Sequence, residues 1–155
     1  MNIKIAVKAL TSFSLIFILS AGAMAEEGSL FKKGPIVITS ESLSADNKNK
    51  TALFEGSVIA KTQDTTLYSD KMNVFYSEDG KVSKIDCAGN VKLIKGERVV
   101  TSDNAVYLAE EEKIVFTGQP KAQEGGNVVT GSKITFLLKS DRSLIENSKV
   151  FLKSK

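Results

Sequence analysis

Apolar and polar residues alternate along most of the chain, and no stretch repeats with a convincing helical period. The alternation is clearest at residues 72–76, 85–93 and 134–138. Because successive side chains of a strand point to opposite faces, this pattern predicts strands with one buried and one exposed face. Turn-forming clusters break the runs at residues 46–50, 78–80, 95–97, 110–112, 124–127 and 139–142. The sequence therefore predicts an all-β meander of short antiparallel strands.

Two landmarks recur within this pattern. The first is a glycine inside a strand-like run, with an apolar residue two positions before it, and its copies are Gly56, Gly89 and Gly118. The second is an acidic or small polar residue between two β-prone runs, and it follows each glycine at the same fixed distance, at Asp70, Asp103 and Ser132. An earlier copy of the second landmark is Glu41, and a worn fourth copy of the first lies in residues 145–152.

The spacing between the landmarks indicates a repeat. The step from Glu41 to Gly56 equals the step from Asp103 to Gly118, whereas the step from Asp70 to Gly89 is longer. The middle unit thus carries four extra residues, most simply placed in the turn at residues 77–80. A repeat of about 30 residues is typical of stacked units, and the alternative is a coincidence of common strand patterns. The glycines predict bulges or tight bends where the sheet folds over, and the polar landmarks mark similar corners.

Stacked units of this kind predict two sheets that face each other with an apolar slot between them, a sandwich or jelly roll that grows along one axis. Two interpretations of the slot stay open. Alternating apolar residues usually form a closed core. A slot that stays partly open would instead accept a lipid chain.

Residues 1–25 are typical of a secretory signal peptide. Lys4 and Lys8 give a positive start, residues 9–19 form an apolar run shorter than the roughly 20 residues of a spanning helix, and residues 23–25 form a small-x-small cleavage site. We expect cleavage after Ala25 and export, with an uncleaved anchor as the alternative. The expected domains are a flexible segment at 26–34, one β domain at 35–152 and a polar tail at 153–155.

The composition limits which ligands and reactive groups the protein can have. The net charge falls from +3 to about +1 without the leader, so bulk charge does not favour nucleic acid or another polyanion. Cys87 is the only cysteine, which excludes an internal disulfide. It matches apolar positions in the other repeats, so we interpret it as a small buried hydrophobe, and a reactive thiol is the alternative.

Catalysis is disfavoured by the residue types present. The chain has no histidine, which excludes Ser-His-Asp and Cys-His sites and histidine-rich metal sites. Its carboxylates lie in turns and at repeat landmarks, and no phosphate-binding glycine loop precedes a helix. We therefore expect no enzyme activity, no catalytic residues, no metal and no cofactor.

Four segments carry a resemblance to a known family, at residues 35–43, 52–58, 88–91 and 115–120. Their order and spacing resemble the OstA-like family of lipopolysaccharide-transport proteins over residues 35–152. A chain with a cleavage site, and without an anchor or an outer-membrane barrel, resembles the soluble periplasmic members. The resemblance implies a slightly twisted, V-shaped, open β-jellyroll whose inner face holds the acyl chains of lipopolysaccharide.

The resemblance also implies partners. Copies would join head to tail as a homo-oligomer, with an LptC-like inner-membrane protein at one end and the N-terminal domain of an LptD-like outer-membrane protein at the other. Together they would bridge the periplasm for outer-membrane biogenesis, with energy from a partner ATPase complex. The rival hypothesis is a secreted structural β-repeat or inhibitor-like interaction module with a closed core, and a further one is a different lipid cargo.

Residue roles follow from the resemblance by matching positions. The lipid-binding role falls on inward positions, namely Ile36, Ile38, Phe54, Val58, Met72, Val74, Tyr76, Val91, Tyr107, Phe116, Ile134 and Phe136. The joints between copies or partners fall on the first and last strands, namely Ile36, Val37, Ile38, Thr39, Lys149, Val150, Phe151 and Leu152.

Overall fold

The computed structural model describes residues 2–6, 16–20 and 36–153, and every regular element in them is a strand. The strands are β1 (Asn2–Ala6), β2 (Ile16–Ser20), β3 (Val37–Thr39), β4 (Ser42–Asp46), β5 (Thr51–Lys61), β6 (Thr65–Tyr76), β7 (Val82–Lys95), β8 (Arg98–Leu108), β9 (Lys113–Thr117), β10 (Lys121–Glu124), β11 (Asn127–Thr130), β12 (Lys133–Leu137), β13 (Arg142–Glu146) and β14 (Lys149–Phe151). The predicted all-β class is confirmed. Among these residues no helix is long and apolar enough to cross a membrane.

β1 and β2 form a separate antiparallel pair, in which Asn2 lies opposite Ser20. Both strands fall within residues 1–25, the predicted signal peptide, and β1 lies beside β3. The expected cleavage site after Ala25 and the segment 26–34 lie outside the described residues. Removal of the leader therefore stays a prediction.

The other twelve strands form one antiparallel sheet whose main order is β13-β12-β9-β8-β7-β6-β5-β3. β4 also pairs with β5, β10 with β8 and β11, and β14 with β11. The sheet thus consists of eight segments, here called rungs, each of which crosses a bend. In chain order, rungs 1 to 8 are residues 37–46, 51–61, 65–76, 82–95, 98–108, 113–124, 127–137 and 142–151.

The bends divide the sheet into two facing layers. Layer 1 contains β4, β9, β12 and β13 together with the parts of β5 to β8 that pair with them. Layer 2 contains β3, β10, β11 and β14 together with the remaining parts of β5 to β8. The slot between the layers is closed on one side by the bends. Its other side, here called the mouth, lies between the turns at the tips of the two layers.

The sequence landmarks are the bends. The ladder between β6 and β7 shifts register at the bend, where Gly89 has a φ of 78° and Asn90 a φ of 47°. A side chain on Gly89 would clash with the carboxylate of Asp70, so this approach requires glycine. Asp70 accepts a hydrogen bond of 2.8 Å from the Asn90 side chain. The same approach recurs between Gly56 and Glu41 and between Gly118 and Asp103.

The worn fourth copy of the glycine landmark is also a bend. Asn147 takes the place of the glycine with a φ of 50°, and its amide donates to the Ser132 hydroxyl over 2.9 Å. This bend is one residue shorter than that of rung 6. In rung 6, residues 118–120 lie between the last paired position of β9 and the first of β10. In rung 8, only residues 147 and 148 lie between the last paired position of β13 and the first of β14. As a result Val150, opposite Val129, points into the slot.

Two details of the chain differ from the sequence prediction. The four extra residues of the middle unit are not confined to the turn at 77–80. Between their bends, rungs 3 and 4 are compared with rungs 5 and 6: the layer 1 part of β6 is one residue longer than that of β8, the turn at 77–81 is one residue longer than the turn at 109–112, and the layer 1 part of β7 is two residues longer than β9. A turn at 62–64 was not predicted. It is held by the Thr62 hydroxyl, which accepts a hydrogen bond of 3.1 Å from the Thr65 amide.

Cross-strand pairing aligns the inward side chains in rows that cross all eight rungs. One row of layer 1 is Leu43, Phe54, Met72, Cys87, Ala105, Phe116, Ile134 and Ile145. One row of layer 2 is Ile38, Ala60, Leu67, Leu93, Val100, Ala122, Val129 and Val150. Their burial against each other forms the hydrophobic core.

Candidate functional site

All twelve predicted lipid-binding positions point into the slot. Ten of them belong to the buried core, namely Ile36, Ile38, Phe54, Val58, Met72, Val74, Val91, Tyr107, Phe116 and Ile134. Tyr76 and Phe136 are half-buried and pack against it, and burial raises the pKa of Tyr76. The structure therefore brings these residues together inside one slot, on both of its walls, while their contact with lipid stays a prediction.

The sequence prediction omitted most of the second wall of the slot. Ala60, Leu67, Leu93 and Val100 also line layer 2, opposite the predicted residues of layer 1, and are buried. Leu93 lies two positions after Val91, so the alternation alone was sufficient to include it. Both walls of the slot are thus predominantly apolar, with Ser69 and Ser102 as buried polar side chains in layer 2.

The middle of the slot is closed. Phe54, Val100 and Phe116 have no exposed side-chain area, so the layers pack against each other there as an ordinary hydrophobic core. An acyl chain enters this region only if the layers separate. Since the bends join the layers along one side, separation has to occur at the mouth or at the ends of the roll.

The slot opens toward rungs 7 and 8. Phe136, Leu138 and Ile145 are half-buried there, and inward-pointing Val150 is 52% exposed. The ring of Phe136 meets that of Phe116 edge to face, with centroids 5.8 Å apart. The half-open end is therefore continuous with the closed middle through an aromatic contact.

Arg98 crosses the mouth at this half-open end. It begins rung 5 in layer 2, and its guanidinium lies 5.5 Å from the ring centroid of Phe136 in layer 1. Its Nη1 lies 3.7 Å from Asp141 in the tip turn of layer 1, and its Nε donates to Glu124 of layer 2 over 3.1 Å. The sequence prediction did not single it out, although only two of the 21 basic residues are arginine, the other being Arg142.

Each end of the roll carries a sheet edge to which no further strand is hydrogen-bonded among the described residues, although β1 of the predicted leader lies beside β3 at the first edge. In the described part of the chain, β3 and β4 pair with β5 alone, β13 with β12 alone and β14 with β11 alone. Large apolar side chains are exposed at both edges, with Val37 at the first and Leu144, Val150 and Phe151 at the last. Unpaired strand edges of this kind are sites for adding another strand.

The predicted joint residues lie at or directly beside these edges, and their role as joints stays a prediction. Ile36 precedes β3 and is buried in the core, and Leu152 follows β14 and is 76% exposed. The prediction also covered only half of each edge. Because every rung passes through a bend, β4 and β13 extend the two edges into layer 1.

Cys87 does not form a reactive site. Burial raises the pKa of its thiol to about 12. A thiol this far from ionisation is a poor nucleophile. In the part of the chain that the structure describes, no three histidine, cysteine or acidic side chains converge to hold a metal ion.

Comparison with known proteins gives one family and one fold. The profile of the family described as LptA/(LptD N-terminal domain) LPS transport protein matches residues 37–142. The structure is similar to that of LptH from Pseudomonas aeruginosa, described as the LptA-homologous periplasmic component of the lipopolysaccharide transport device, with a TM-score of 0.70. The two sequences are 15% identical, and the match covers 77% of this chain and 96% of that one. The comparison with curated proteins finds no match.

Proposed function

This chain belongs to the LptA/LptD N-terminal-domain family of lipopolysaccharide transport proteins, and from that premise we propose that it carries lipopolysaccharide across the periplasm with the acyl chains in the slot. The observation that carries the proposal is the inward apolar rows, which run from one open edge of the roll to the other without a charged side chain. The export signal predicted in residues 1–25 supports a periplasmic location.

The energetics support a continuous apolar path. Exposing one CH₂ group to water costs about 0.8 kcal/mol, so a chain of about a dozen carbons costs on the order of 10 kcal/mol. Free diffusion of a lipid with several such chains is negligible. A slot that continues from one protein to the next removes this barrier, because the chains never enter water.

One observation favours the rival hypothesis of a structural module. The middle rungs are packed shut, as in a protein whose interior has no cargo. The half-open C-terminal end favours transport, because chains entering there meet Phe136 before the closed region. The two hypotheses differ in whether lipopolysaccharide reaches inward side chains in cells.

Photocrosslinking on β12 separates the two hypotheses. A photoreactive residue at Phe136 faces the slot, and one at the neighbouring Thr135 faces outward on the same strand. In cells that make lipopolysaccharide, we expect an adduct from position 136 and none from position 135. A folded and exported protein that forms no adduct from Phe136 or from Tyr107 would show that the interior is a closed core.

We further propose that copies join head to tail, with β13 and β14 of one copy paired to β4 and β3 of the next. Within the chain, the residue two before each bend glycine lies opposite the residue two after the next polar landmark. These pairs are Phe54–Met72, Cys87–Ala105 and Phe116–Ile134. Applied to Asn147 and to Glu41 of a second copy, the rule places Ile145 opposite Leu43 and Leu144 opposite Ser44.

Layer 2 supports the same register. On its outer face lysine and threonine alternate across four successive junctions between rungs, in the row Lys92, Thr101, Lys121, Thr130 and Lys149. The short bend at Asn147 brings Lys149 opposite Thr39 of the second copy, which continues this alternation. It also pairs inward Val150 with inward Ile38, and the exposed side chains of Phe151 and Val37 with each other.

Disulfide trapping tests the register. In a mixture of Ser44→Cys and Leu144→Cys proteins, we expect a covalent dimer, because the two Cα atoms come within the roughly 7 Å that a disulfide requires. The edges of one copy are separated by seven strand spacings, about 34 Å, so the bond forms only between copies. A mixture of Ser44→Cys and Glu146→Cys is the out-of-register control, and buried Cys87 stays unreactive. Equal yields from both mixtures would contradict the register.

The two ends of the assembly require different partners. We propose that the first edge receives an LptC-like inner-membrane protein and that the last edge joins the N-terminal domain of an LptD-like outer-membrane protein. The family description supports the second partner, because it covers LptA and the LptD N-terminal domain together. Strand addition at an open edge is a mode of binding that both partners can share.

A further inference from the structure

Arg98 connects the two layers at the place where the slot begins to open. Its guanidinium carbon lies over the Phe136 ring at 5.5 Å, and Nη1 lies 3.7 Å from an Asp141 oxygen, so both contacts reach layer 1. Within layer 2, Nε and Nη2 both lie 3.1 Å from the same oxygen of Glu124. The Arg98 guanidinium therefore lies at the mouth of the apolar slot, and the Phe136 ring lies between it and the interior.

The carboxylates that hold Arg98 are easily replaced. The side chain of Asp141 is 90% exposed and that of Glu124 is 57% exposed, whereas that of Arg98 is 30% exposed. Exposed ion pairs contribute little to stability, since water and salt screen them. The pair with Glu124 uses one oxygen for two donors, which is not the parallel two-oxygen arrangement that makes arginine pairs strong.

We propose that Arg98 is a binding residue for the phosphate of an amphiphile whose acyl chains occupy the slot, and this inference rests on the proposed lipid-carrying function. Glu124 and Asp141 hold the guanidinium while the slot is empty. The incoming phosphate takes over its donors, and Asp141 and Phe136 are released from the cation. Since these two contacts join layer 2 to layer 1, the same exchange allows the mouth to open.

The chemistry of the guanidinium fits this role. Its planar fork donates two parallel hydrogen bonds to a phosphate, and it is more weakly hydrated than a lysine ammonium group. It therefore loses less on leaving water at the rim of an apolar slot. The position also fits the geometry of a phospholipid-like molecule, in which the anionic group lies directly beyond the point where the chains begin.

A purely structural role for Arg98 makes a different prediction. If Arg98 only holds the two layers in contact, its removal makes the layers separate more easily and changes the binding of charged and uncharged lipids equally. If it binds phosphate, its removal weakens the binding of the phosphorylated lipid alone. Arg142 supplies a matched control, because it is the other arginine and follows Asp141 directly at the mouth end of β13, but it lies on the outer face of that strand and points away from the slot.

The test compares an acylated disaccharide lipid that carries two phosphate groups with the same lipid after phosphatase treatment. Binding to the folded mature protein is measured for the wild type, Arg98→Gln, Arg98→Lys and Arg142→Gln. We expect Arg98→Gln to weaken binding of the phosphorylated lipid about tenfold, to the level of the dephosphorylated lipid. Arg98→Lys recovers part of the loss, and Arg142→Gln has no effect. Inorganic phosphate alone does not bind, because the acyl chains supply most of the affinity.

The outcomes distinguish this inference from the function on which it rests. If both lipids bind the wild type equally, or if Arg98→Gln weakens both equally, the inference is wrong and the lipid-carrying function stands. If inorganic phosphate competes as strongly as the phosphorylated lipid, Arg98 belongs to a site for free anions and the inference is again wrong. If neither lipid binds any of the four proteins, the proposed function itself fails.

Discussion

At the scale of single residues, the repeat reflects which side chains the backbone and the packing at each bend can accommodate. Gly89 combines a left-handed backbone with a carboxylate in the space where a side chain would begin. Cys87, two residues earlier, is buried against its neighbours and stays protonated. Both residues follow from packing at the bend, so their roles are architectural.

Gly89→Ala and Gly80→Ala separate the two causes of the glycine requirement. The two glycines have nearly the same φ, 78° and 77°, but nothing lies within 4 Å of a side chain built on Gly80. We expect Gly80→Ala to lower the free energy of unfolding by about 1 to 2 kcal/mol through backbone strain alone. Gly89→Ala should cost a further 1 to 3 kcal/mol, roughly, because Asp70 has to move. Urea denaturation measures both, and equal losses would show that the contact with Asp70 does not matter.

At the scale of elements, the sequence predicted what depends on local pattern. Alternation identified the strands, and the spacing of glycine and polar landmarks identified the bends that divide the sheet. What it did not predict depends on contacts between distant parts of the chain. Arg98 begins rung 5 but gains its significance from Phe136 in rung 7 and Asp141 in the turn after it. Similarly, alternation alone did not show how the four extra residues of the middle unit would be shared between two strands and their turn.

The short bend at Asn147 leads to a prediction about insertions. The other glycine bends hold one more residue than this one, so a glycine inserted after Asn147 should be absorbed in the bend with a loss below about 1 kcal/mol. The same insertion after Val115, inside β9, should turn Phe116 away from the slot, because a shift of one residue reverses every side chain that follows. Thermal and urea unfolding of the two variants, with the Ser44–Leu144 disulfide as a check on the edge, measure the difference. Similar losses would mean that rung 8 is not a shortened copy of the others.

At the scale of the whole molecule, burial is greatest in the middle rungs of the roll and falls toward the last rungs. Strands β5 to β8 enclose the closed middle, whereas the residues of β11 to β14 other than Ile134 are half-buried or exposed. Local opening costs least where few apolar contacts are lost, so the last rungs should open far more often than the middle. A lipid chain that follows the path of least cost enters at rungs 7 and 8 and moves toward Phe116 by separating the layers ahead of it.

Hydrogen exchange in the mature protein tests this order of opening. We expect amides of β12 and β13 to exchange much faster than those of β6 and β7 in the absence of lipid, because their strands lose fewer contacts on opening. Phosphorylated acyl lipid should slow exchange first in β12 and β13 and only at higher occupancy in the middle rungs. Arg98→Gln should speed exchange in β12 without lipid, since Phe136 loses its contact across the mouth, while Arg142→Gln should leave β12 unchanged. Uniform exchange along the roll, or protection that begins in β6 and β7, would mean that lipid enters through the middle of the mouth instead of the half-open end.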